Sequence, residues 1–154
     1  MILPRIIHPL GKVIYLALLP LFFVYGHLQK QPRTRAIILY KEKVLLVKNF
    51  LSLQTWSLPG GGVNKNESTT SAIIREIEEE VGFTVTENPT SLGIIRSLEP
   101  TTSFTVEVFA IHLPTRPTVV IDGKEIIDYQ WVDIDLLKDD EALYSLLQKA
   151  RAIK

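Results

Sequence analysis

A stripe of acidic residues in the middle of the chain is the first feature that could do chemistry. Glu76, Glu79 and Glu80 stand at positions i, i+3 and i+4. At about 100° per residue, these carboxylates lie within roughly 100° of one another on a helix surface. Like charges at this spacing repel by a few tenths of a kcal/mol per pair in water, and by several times more in a cleft of lower dielectric. The stripe therefore predicts a compensating positive charge.

Arg75 supplies part of that charge, since it precedes Glu79 by four positions and can pair with one carboxylate. One guanidinium cannot neutralise three glutamates, but a divalent hard cation can, and oxygen ligands suit Mg²⁺ or Mn²⁺. Glu67 adds a fourth carboxylate. The preceding glycines, Gly60 to Gly62, can bring backbone groups close to a ligand because they carry no Cβ. A solvated acidic helix face is the alternative, and spacing alone does not decide between the two.

The pattern around these residues resembles the signature of the Nudix hydrolases. That signature reads Gly, five residues, Glu, seven residues, Arg-Glu, an aliphatic, any residue, Glu-Glu, any residue, Gly and an apolar residue. The chain matches it without departure from Gly61 to Phe83. Seven identities at background frequencies of about one in fifteen make a chance match at a given start about one in 10⁸. WSLPGGG also resembles the family's aromatic-x-x-Pro-Gly-Gly lead-in, and IIDYQWVDIDLL its late strand ending in Trp-Val.

The resemblance implies a fold and a reaction. The fold is an α/β/α sandwich with a mixed β-sheet. The reaction is Mg²⁺- or Mn²⁺-dependent hydrolysis of a nucleoside diphosphate linked to another moiety. Nucleoside triphosphates, nucleotide sugars, ADP-ribose and capped RNA ends all stay open as substrates. A nucleotide-binding regulatory module without turnover is the alternative function.

The resemblance also implies roles for single residues. The metal ligands would be Glu76, Glu79 and Glu80, with the Gly61 carbonyl as a further ligand and Glu67 ligating more loosely. Arg75 would orient the glutamates.

The base and the substrate contacts are less defined. Water activation needs a base within hydrogen-bond reach, and the candidates are Glu76, Glu79 and Glu125. As an alternative, Glu125 is a solvated turn residue. Trp56 either stacks on a substrate base or serves packing, and Gly60, Gly61 and Gly62 are predicted to contact substrate.

The elements that must position these residues can be read from periodicity. Ser68 to Val81 reads as one helix ended by Gly82. Its isoleucines face the core beside the acidic stripe. RAIILY and VLLVKN form a predicted hairpin, and WSLPGGG a loop. Further predicted elements are strands 83–86, 91–98, 104–113 and 126–132, a short helix 134–137 and a terminal helix 141–150. This order is typical of a layered α/β or α+β domain.

Composition limits the class of protein. The chain has 154 residues, enough for about one domain. Its 17 basic and 17 acidic residues cancel, which argues against coating of double-stranded nucleic acid. It has no cysteine, which excludes disulfides, zinc–thiolate sites and thiol nucleophiles, and fits the reducing cytoplasm.

The first 34 residues form a predicted extension to a catalytic domain of residues 35–154. The first 35 residues hold five basic and no acidic residues, which leaves the remainder a net charge of −5. Thirteen uncharged residues, 13–25, are fewer than the about 20 that a membrane helix needs. The extension therefore packs on its own domain or on a second subunit in a homodimer, contacts a membrane peripherally through residues 1–30, or is a targeting signal.

Overall fold

The computed structural model describes residues 32–50, 55–96, 105–121, 123 and 125–153. These residues form six strands, two α-helices and a 3₁₀ turn: β1 (Arg33–Tyr40), β2 (Lys43–Asn49), β3 (Trp56–Ser57), α1 (Thr69–Val81), β4 (Thr90–Arg96), β5 (Thr105–His112), β6 (Ile126–Asp133), the turn Ile134–Leu137 and α2 (Glu141–Ala152). The alternatives for the N-terminal extension fall almost entirely outside the described residues and stay predictions. Within the described part of the chain, no helix is long and apolar enough to span a bilayer.

The strands form one mixed sheet. β1 runs parallel to β5 along its length, from Arg33 to Leu39. β4 is antiparallel to β5, and β6 is antiparallel to β2. β1 and β2 form the predicted hairpin, but they pair only next to their turn. The two strands therefore diverge away from the hairpin end.

The segment from β3 to the glycines fills the gap between the diverging strands. Val47 of β2 pairs with Ser57 on one edge and with Tyr129 on the other. β3 thus takes the edge of β2 that β1 leaves free. Farther along the segment, Gly62 forms a bridge with Arg33 of β1. The glycines predicted to lie in a loop are consequently held inside the sheet rather than beside it.

Successive apolar side chains of the central strands point to opposite faces of the sheet, and they build one core on each face. On β1, Ala36 and Ile38 face α1, whereas Ile37 and Leu39 face α2. The α1-side core consists of these buried residues: Ala36, Ile38, Leu45, Val47, Ile73, Ile77, Val81, Val85, Phe109, Ile111, Val119 and Ile126. The α2-side core consists of Ile37, Leu39, Val44, Leu46, Leu58, Leu92, Val106, Val108, Ala110, Ile134, Leu147 and Ala150. The predicted α/β/α sandwich is confirmed.

One predicted element is wrong. Residues 83–86 were expected to form a strand, but they are irregular. Phe83 and Val85 contribute side chains to the α1-side core, although their backbone joins no strand of the described sheet. Burial of Val85 and packing of the partly buried Phe83 against the core account for the apolar pattern that suggested a strand.

Candidate active site

Helix α1 is fixed at both ends and along one side. The Ser68 hydroxyl accepts a hydrogen bond from the Ser71 amide (3.0 Å) and caps the first turn. Gly82 ends the helix in the left-handed conformation, with φ of 71°. Ile73 and Ile77 are fully buried against the sheet. The helix cannot rotate without exposing them, so the acidic stripe keeps its position beside the core.

Arg75 joins three glutamates into what we call the outer network, made of Arg75, Glu67, Glu76 and Glu79. It pairs with Glu67 through two nitrogens, Nε to Oε1 (2.9 Å) and Nη2 to Oε2 (3.1 Å). Its Nη1 donates to Glu76 (2.9 Å) and to Glu79 (3.0 Å). The sequence predicted one partner. The guanidinium reaches three because it carries five donors in a fixed plane.

Glu67 and Arg75 form the charged pair at the start of the outer network. The hydrogen bond from Arg75, followed by one from the Asn64 amide, holds the pKa of Glu67 below its ordinary value. Hydrogen bonding to Glu67 raises the pKa of Arg75. Glu67 and Arg75 are therefore both charged at neutral pH, as an orienting pair requires.

Glu76 and Glu80 have a different environment, since both are largely shielded from solvent. Burial raises the pKa of Glu76 and outweighs its bond to Arg75. Burial raises the pKa of Glu80 to about 7, against a hydrogen bond from Gly60 and the charge of Arg35. Glu80 is only 6% exposed, and its Oε2 accepts from the Gly60 amide at 2.8 Å. A nearby cation would stabilise the ionised form of both carboxylates.

The glycine turn lies directly against these carboxylates. A Cβ on Gly61 would sit 2.4 Å from Oε2 and 2.6 Å from Oε1 of Glu76. A Cβ on Gly60 would sit 2.5 Å from the Thr34 carbonyl oxygen, and its φ is +130°. The Gly61 carbonyl accepts a hydrogen bond from the Thr34 amide (2.9 Å), and its second lone pair stays available to a ligand. Gly62 presents its carbonyl to Arg75 Nη2 (3.0 Å). The three glycines and the stripe thus form one site.

Glu125 lies near the same site, although it is remote in sequence. The amide of Phe50 donates to its carbonyl at 2.7 Å, immediately before β6. Its charge adds to the pKa increase of both Glu76 and Glu80. The structure therefore brings this candidate base towards the stripe.

Trp56 does not join that cluster. Its cross-strand partner is Lys48, whose Nζ lies 5.7 Å from the ring centroid. Because side chains alternate along a strand, Trp56 shares a sheet face with Leu58, which belongs to the α2-side core. The indole is on the face opposite α1. Base stacking by Trp56 stays a prediction.

The atoms available as metal ligands are of the chemical type that binds a divalent cation. They are oxygens, they include two shielded carboxylates, and the lack of a Cβ on Gly61 lets the Glu76 carboxylate lie against the glycine backbone. Among the described residues, no three His, Cys, Asp or Glu side chains converge on one point. The carboxylates are bound instead to Arg75 and to Gly60.

Arg35 is a residue of this site that the sequence reasoning missed. Its Nη1 donates to the carbonyl oxygen of Gly60, and its charge acts on Glu80. The only signal in the sequence was a charged residue beginning the otherwise apolar stretch RAIILY.

Known protein families and individual proteins were compared with this sequence. The sequence profile of the NUDIX domain matches residues 30–150. An RNA pyrophosphohydrolase of Hydrogenovibrio crunogenus is 29% identical over 113 residues, which cover 73% of this chain and 63% of that protein. An RNA pyrophosphohydrolase of Campylobacter jejuni is 28% identical over 121 residues, which cover 68% of this chain and 78% of that protein. The chain thus spans less than two thirds of the length of the Hydrogenovibrio relative.

Solved structures share the fold. A crystal structure of an Ap4A hydrolase binary complex from C. elegans aligns with a TM-score of 0.66 at 23% identity. The alignment covers 79% of this chain and 96% of that one. At this identity the likeness concerns the fold, which agrees with the three layers described above.

Proposed function

The chain belongs to the Nudix family, and from this premise we propose that it is a metal-dependent pyrophosphohydrolase. It would cleave the pyrophosphate linkage of a nucleoside diphosphate joined to another moiety, by attack of water on phosphorus. The observation that carries the proposal is the position of Glu76 and Glu80, two shielded carboxylates against the backbone of the glycine turn. The regulatory module without turnover would not need both to be carboxylates.

The metal would be Mg²⁺ or Mn²⁺, held by Glu76, Glu79 and Glu80, with the Gly61 carbonyl and Glu67 as further ligands. When bound, the cation supplies the charge that screens the diphosphate and acidifies the attacking water. Arg75 holds Glu67, which precedes the helix, beside Glu76 and Glu79 of the helix.

The remaining roles follow from position. A proton of the attacking water would pass to Glu125, Glu76 or Glu79, the three candidates for general base. Glu125 is the candidate from outside the helix, immediately before β6, and its charge acts on both Glu76 and Glu80. Gly60, Gly61 and Gly62 leave the approach to the stripe free of side chains, which suits contact with a phosphate group.

The relatives guide the choice of substrates to test. Both curated relatives described above are named RNA pyrophosphohydrolases. A 5′-triphosphorylated RNA oligonucleotide therefore stands beside nucleoside triphosphates, nucleotide sugars and ADP-ribose in the panel.

The experiment incubates the purified full chain with each compound in Mg²⁺, in Mn²⁺ and with a chelator, and identifies products by chromatography. Cleavage of a pyrophosphate linkage that stops on chelation supports the proposal. A ligand that raises the melting temperature while no compound is cleaved would instead support the regulatory module.

Cytoplasmic location, peripheral membrane contact through residues 1–30 and a homodimer stay predictions. Fractionation of cells expressing the full chain or a chain lacking residues 1–30 tests the first two. Membrane contact predicts that the full chain sediments with membranes and that the shorter chain does not. Light scattering of both chains tests the dimer, and a monomeric full chain would dispose of it.

A further inference from the structure

Strand β1 holds the glycine turn through three successive carbonyl oxygens. Two of the hydrogen bonds come from backbone amides: Ala36 N to Pro59 O (2.8 Å) and Thr34 N to Gly61 O (2.9 Å). The third comes from a side chain, because Arg35 Nη1 donates to the carbonyl oxygen of Gly60. Any residue except proline supplies a backbone amide. Only the Arg35 contact depends on which residue occupies its position.

Gly60 is held from two sides at once. Its carbonyl accepts from Arg35, and its amide donates to Glu80 Oε2 at 2.8 Å. There is little free space around it, since an added Cβ would come within 2.5 Å of the Thr34 carbonyl oxygen and 3.0 Å of Ile73 Cδ1. The carbonyl and the amide of Gly60 belong to different peptide planes that meet at its Cα, and the plane of the amide is also held by the bond from Ala36 N to Pro59 O. Because this Cα is crowded, the Arg35 contact at the carbonyl restrains the residue whose amide bonds to Glu80.

Among the contacts of Arg75 in the described part of the chain, none reaches Glu80. The Arg75 donors contact Glu67, Glu76, Glu79 and the Gly62 carbonyl. The positive charge that acts on Glu80 belongs to Arg35 instead. Glu80 is also the most deeply buried carboxylate of the stripe. Its orientation consequently depends on the path from Arg35 through Gly60.

We propose that Arg35, outside the family signature, is a positioning residue: it holds the Gly60 carbonyl and so keeps Gly60 where its amide orients the Glu80 carboxylate towards the divalent cation. This inference rests on the proposed function, in which Glu80 is a metal ligand. Hydrogen-bond partners that orient metal ligands typically change metal affinity or activity by about 10- to 100-fold when they are removed.

Three full-length variants test the inference. Arg35→Met removes the donor and the charge while it keeps an unbranched stem, and Arg35→Lys keeps the charge but loses the planar fork. Arg151→Met is the matched control, because Arg151 pairs with Glu42 and lies on α2, across the sheet from α1. Thermal melting establishes that each variant is folded.

The first measurement is hydrogen exchange of the Gly60 amide in the metal-free protein. We expect exchange at least about tenfold faster in Arg35→Met, an intermediate rate in Arg35→Lys and the wild-type rate in Arg151→Met. An unchanged rate in folded Arg35→Met would overturn the positioning role, because a purely structural arginine would leave this one amide unaffected.

The second measurement is calorimetric titration with Mn²⁺ alone. Arg35→Met is expected to bind about 10- to 100-fold more weakly than wild type, with partial recovery in Arg35→Lys. Wild-type affinity in Arg35→Met contradicts the inference and leaves the proposed function standing. Absence of Mn²⁺ uptake and of turnover in the wild type rejects the proposed function, and this role with it.

If Arg35→Met does not fold, Arg35→Lys carries both measurements. We then expect Mn²⁺ binding at least about threefold weaker than wild type, since lysine offers a point charge in place of a fork. An unchanged dissociation constant in Arg35→Lys would overturn the inference.

Discussion

The acidic stripe is supported by two arginines in two different ways. Arg75 bonds directly to Glu67, Glu76 and Glu79, and part of this outer network is open to solvent, since the Glu79 side chain is 60% exposed. Glu80 belongs to what we call the inner contact, made of Glu80, Gly60 and Arg35, where the arginine and the carboxylate bond to the carbonyl and the amide of the same glycine. Under the proposed function, we expect the exposed outer network to rearrange around a cation, whereas the inner contact lies against the sheet. We therefore expect Glu80 to set the place of the cation and the outer network to adapt to it.

Removal of the inner carboxylate should have the largest effect. Glu80→Gln keeps the size of the side chain and can still accept from the Gly60 amide, so the fold should persist. We expect metal-dependent turnover to fall by at least about 100-fold, because a charged ligand is lost from the metal site.

Glu78→Gln is the matched control for that variant, since Glu78 lies on the same helix and is exposed. Steady-state kinetics of both proteins at equal Mg²⁺ make the comparison. Equal loss in the two variants, or parental turnover in Glu80→Gln, would contradict the role given to the inner contact.

The second largest effect should come from a Cβ at the glycine turn (Gly60 to Gly62), which would displace a carboxylate of the outer network. Gly61→Ala places its methyl group within 2.4–2.6 Å of the Glu76 carboxylate atoms, so this side chain must move. Turnover should drop by about 10- to 100-fold. Gly93→Ala is the control, because its Cβ would meet nothing within 4 Å. It should lower stability through its φ of +106° without lowering turnover.

The direct arginine should tolerate a conservative change better than the carboxylates do. Arg75→Lys keeps a positive charge but cannot bond to Glu67 through two nitrogens and reach Glu76 as well. We expect turnover to fall by about tenfold and the Mg²⁺ concentration for half-maximal rate to rise. If Arg75→Lys has unchanged kinetics, the planar guanidinium of Arg75 is not needed for turnover, and this prediction is wrong.

The smallest effect that we predict is on the pH dependence of the free energy of unfolding, to which Glu80 of the inner contact contributes. In the metal-free protein Glu80 keeps its proton up to a pKa of about 7, while in the unfolded chain it loses it near 4.5. The folded state therefore binds more protons between these values, and its stability decreases as pH rises through that window. The slope from this residue is at most about 1.4 kcal/mol per pH unit.

Glu67 acts in the opposite direction and at lower pH. Its lowered pKa contributes stability that is present above pH 4.5 and is lost as pH falls below it.

Denaturant melts of wild type and Glu80→Gln from pH 4.5 to 8 test the contribution of Glu80. The decline in stability with rising pH should be shallower in the variant. Parallel curves would show that burial of Glu80 does not perturb its ionisation.

The sequence was sufficient for features that depend on local spacing. The run from Ser68 to Val81 with its stop at Gly82 predicted α1, which begins one residue later with Ser68 as its cap. The i, i+3, i+4 spacing put the three glutamates on one side. Short apolar runs bounded by turn signals likewise predicted the hairpin, β5 and β6 close to their observed bounds. These features follow from backbone geometry within a few residues.

Features that join distant segments could not be obtained in this way. The insertion of residues 56–63 between β1 and β2 depends on how far two paired strands diverge, which no local pattern records. The Arg35 contact with Gly60 spans 25 positions. The apolar pattern at 83–86 was ambiguous for the same reason, because packing rather than pairing buries Phe83 and Val85.

The central claim is that the acidic stripe holds a divalent cation against a pyrophosphate. Calorimetric titration of the full chain with Mg²⁺ and with Mn²⁺, alone and beside a non-hydrolysable nucleotide, tests it most directly. We predict saturable uptake by the wild type and by Glu78→Gln, and strongly weakened uptake by Glu80→Gln. No uptake of either cation by the wild type, with or without the nucleotide, would contradict the claim.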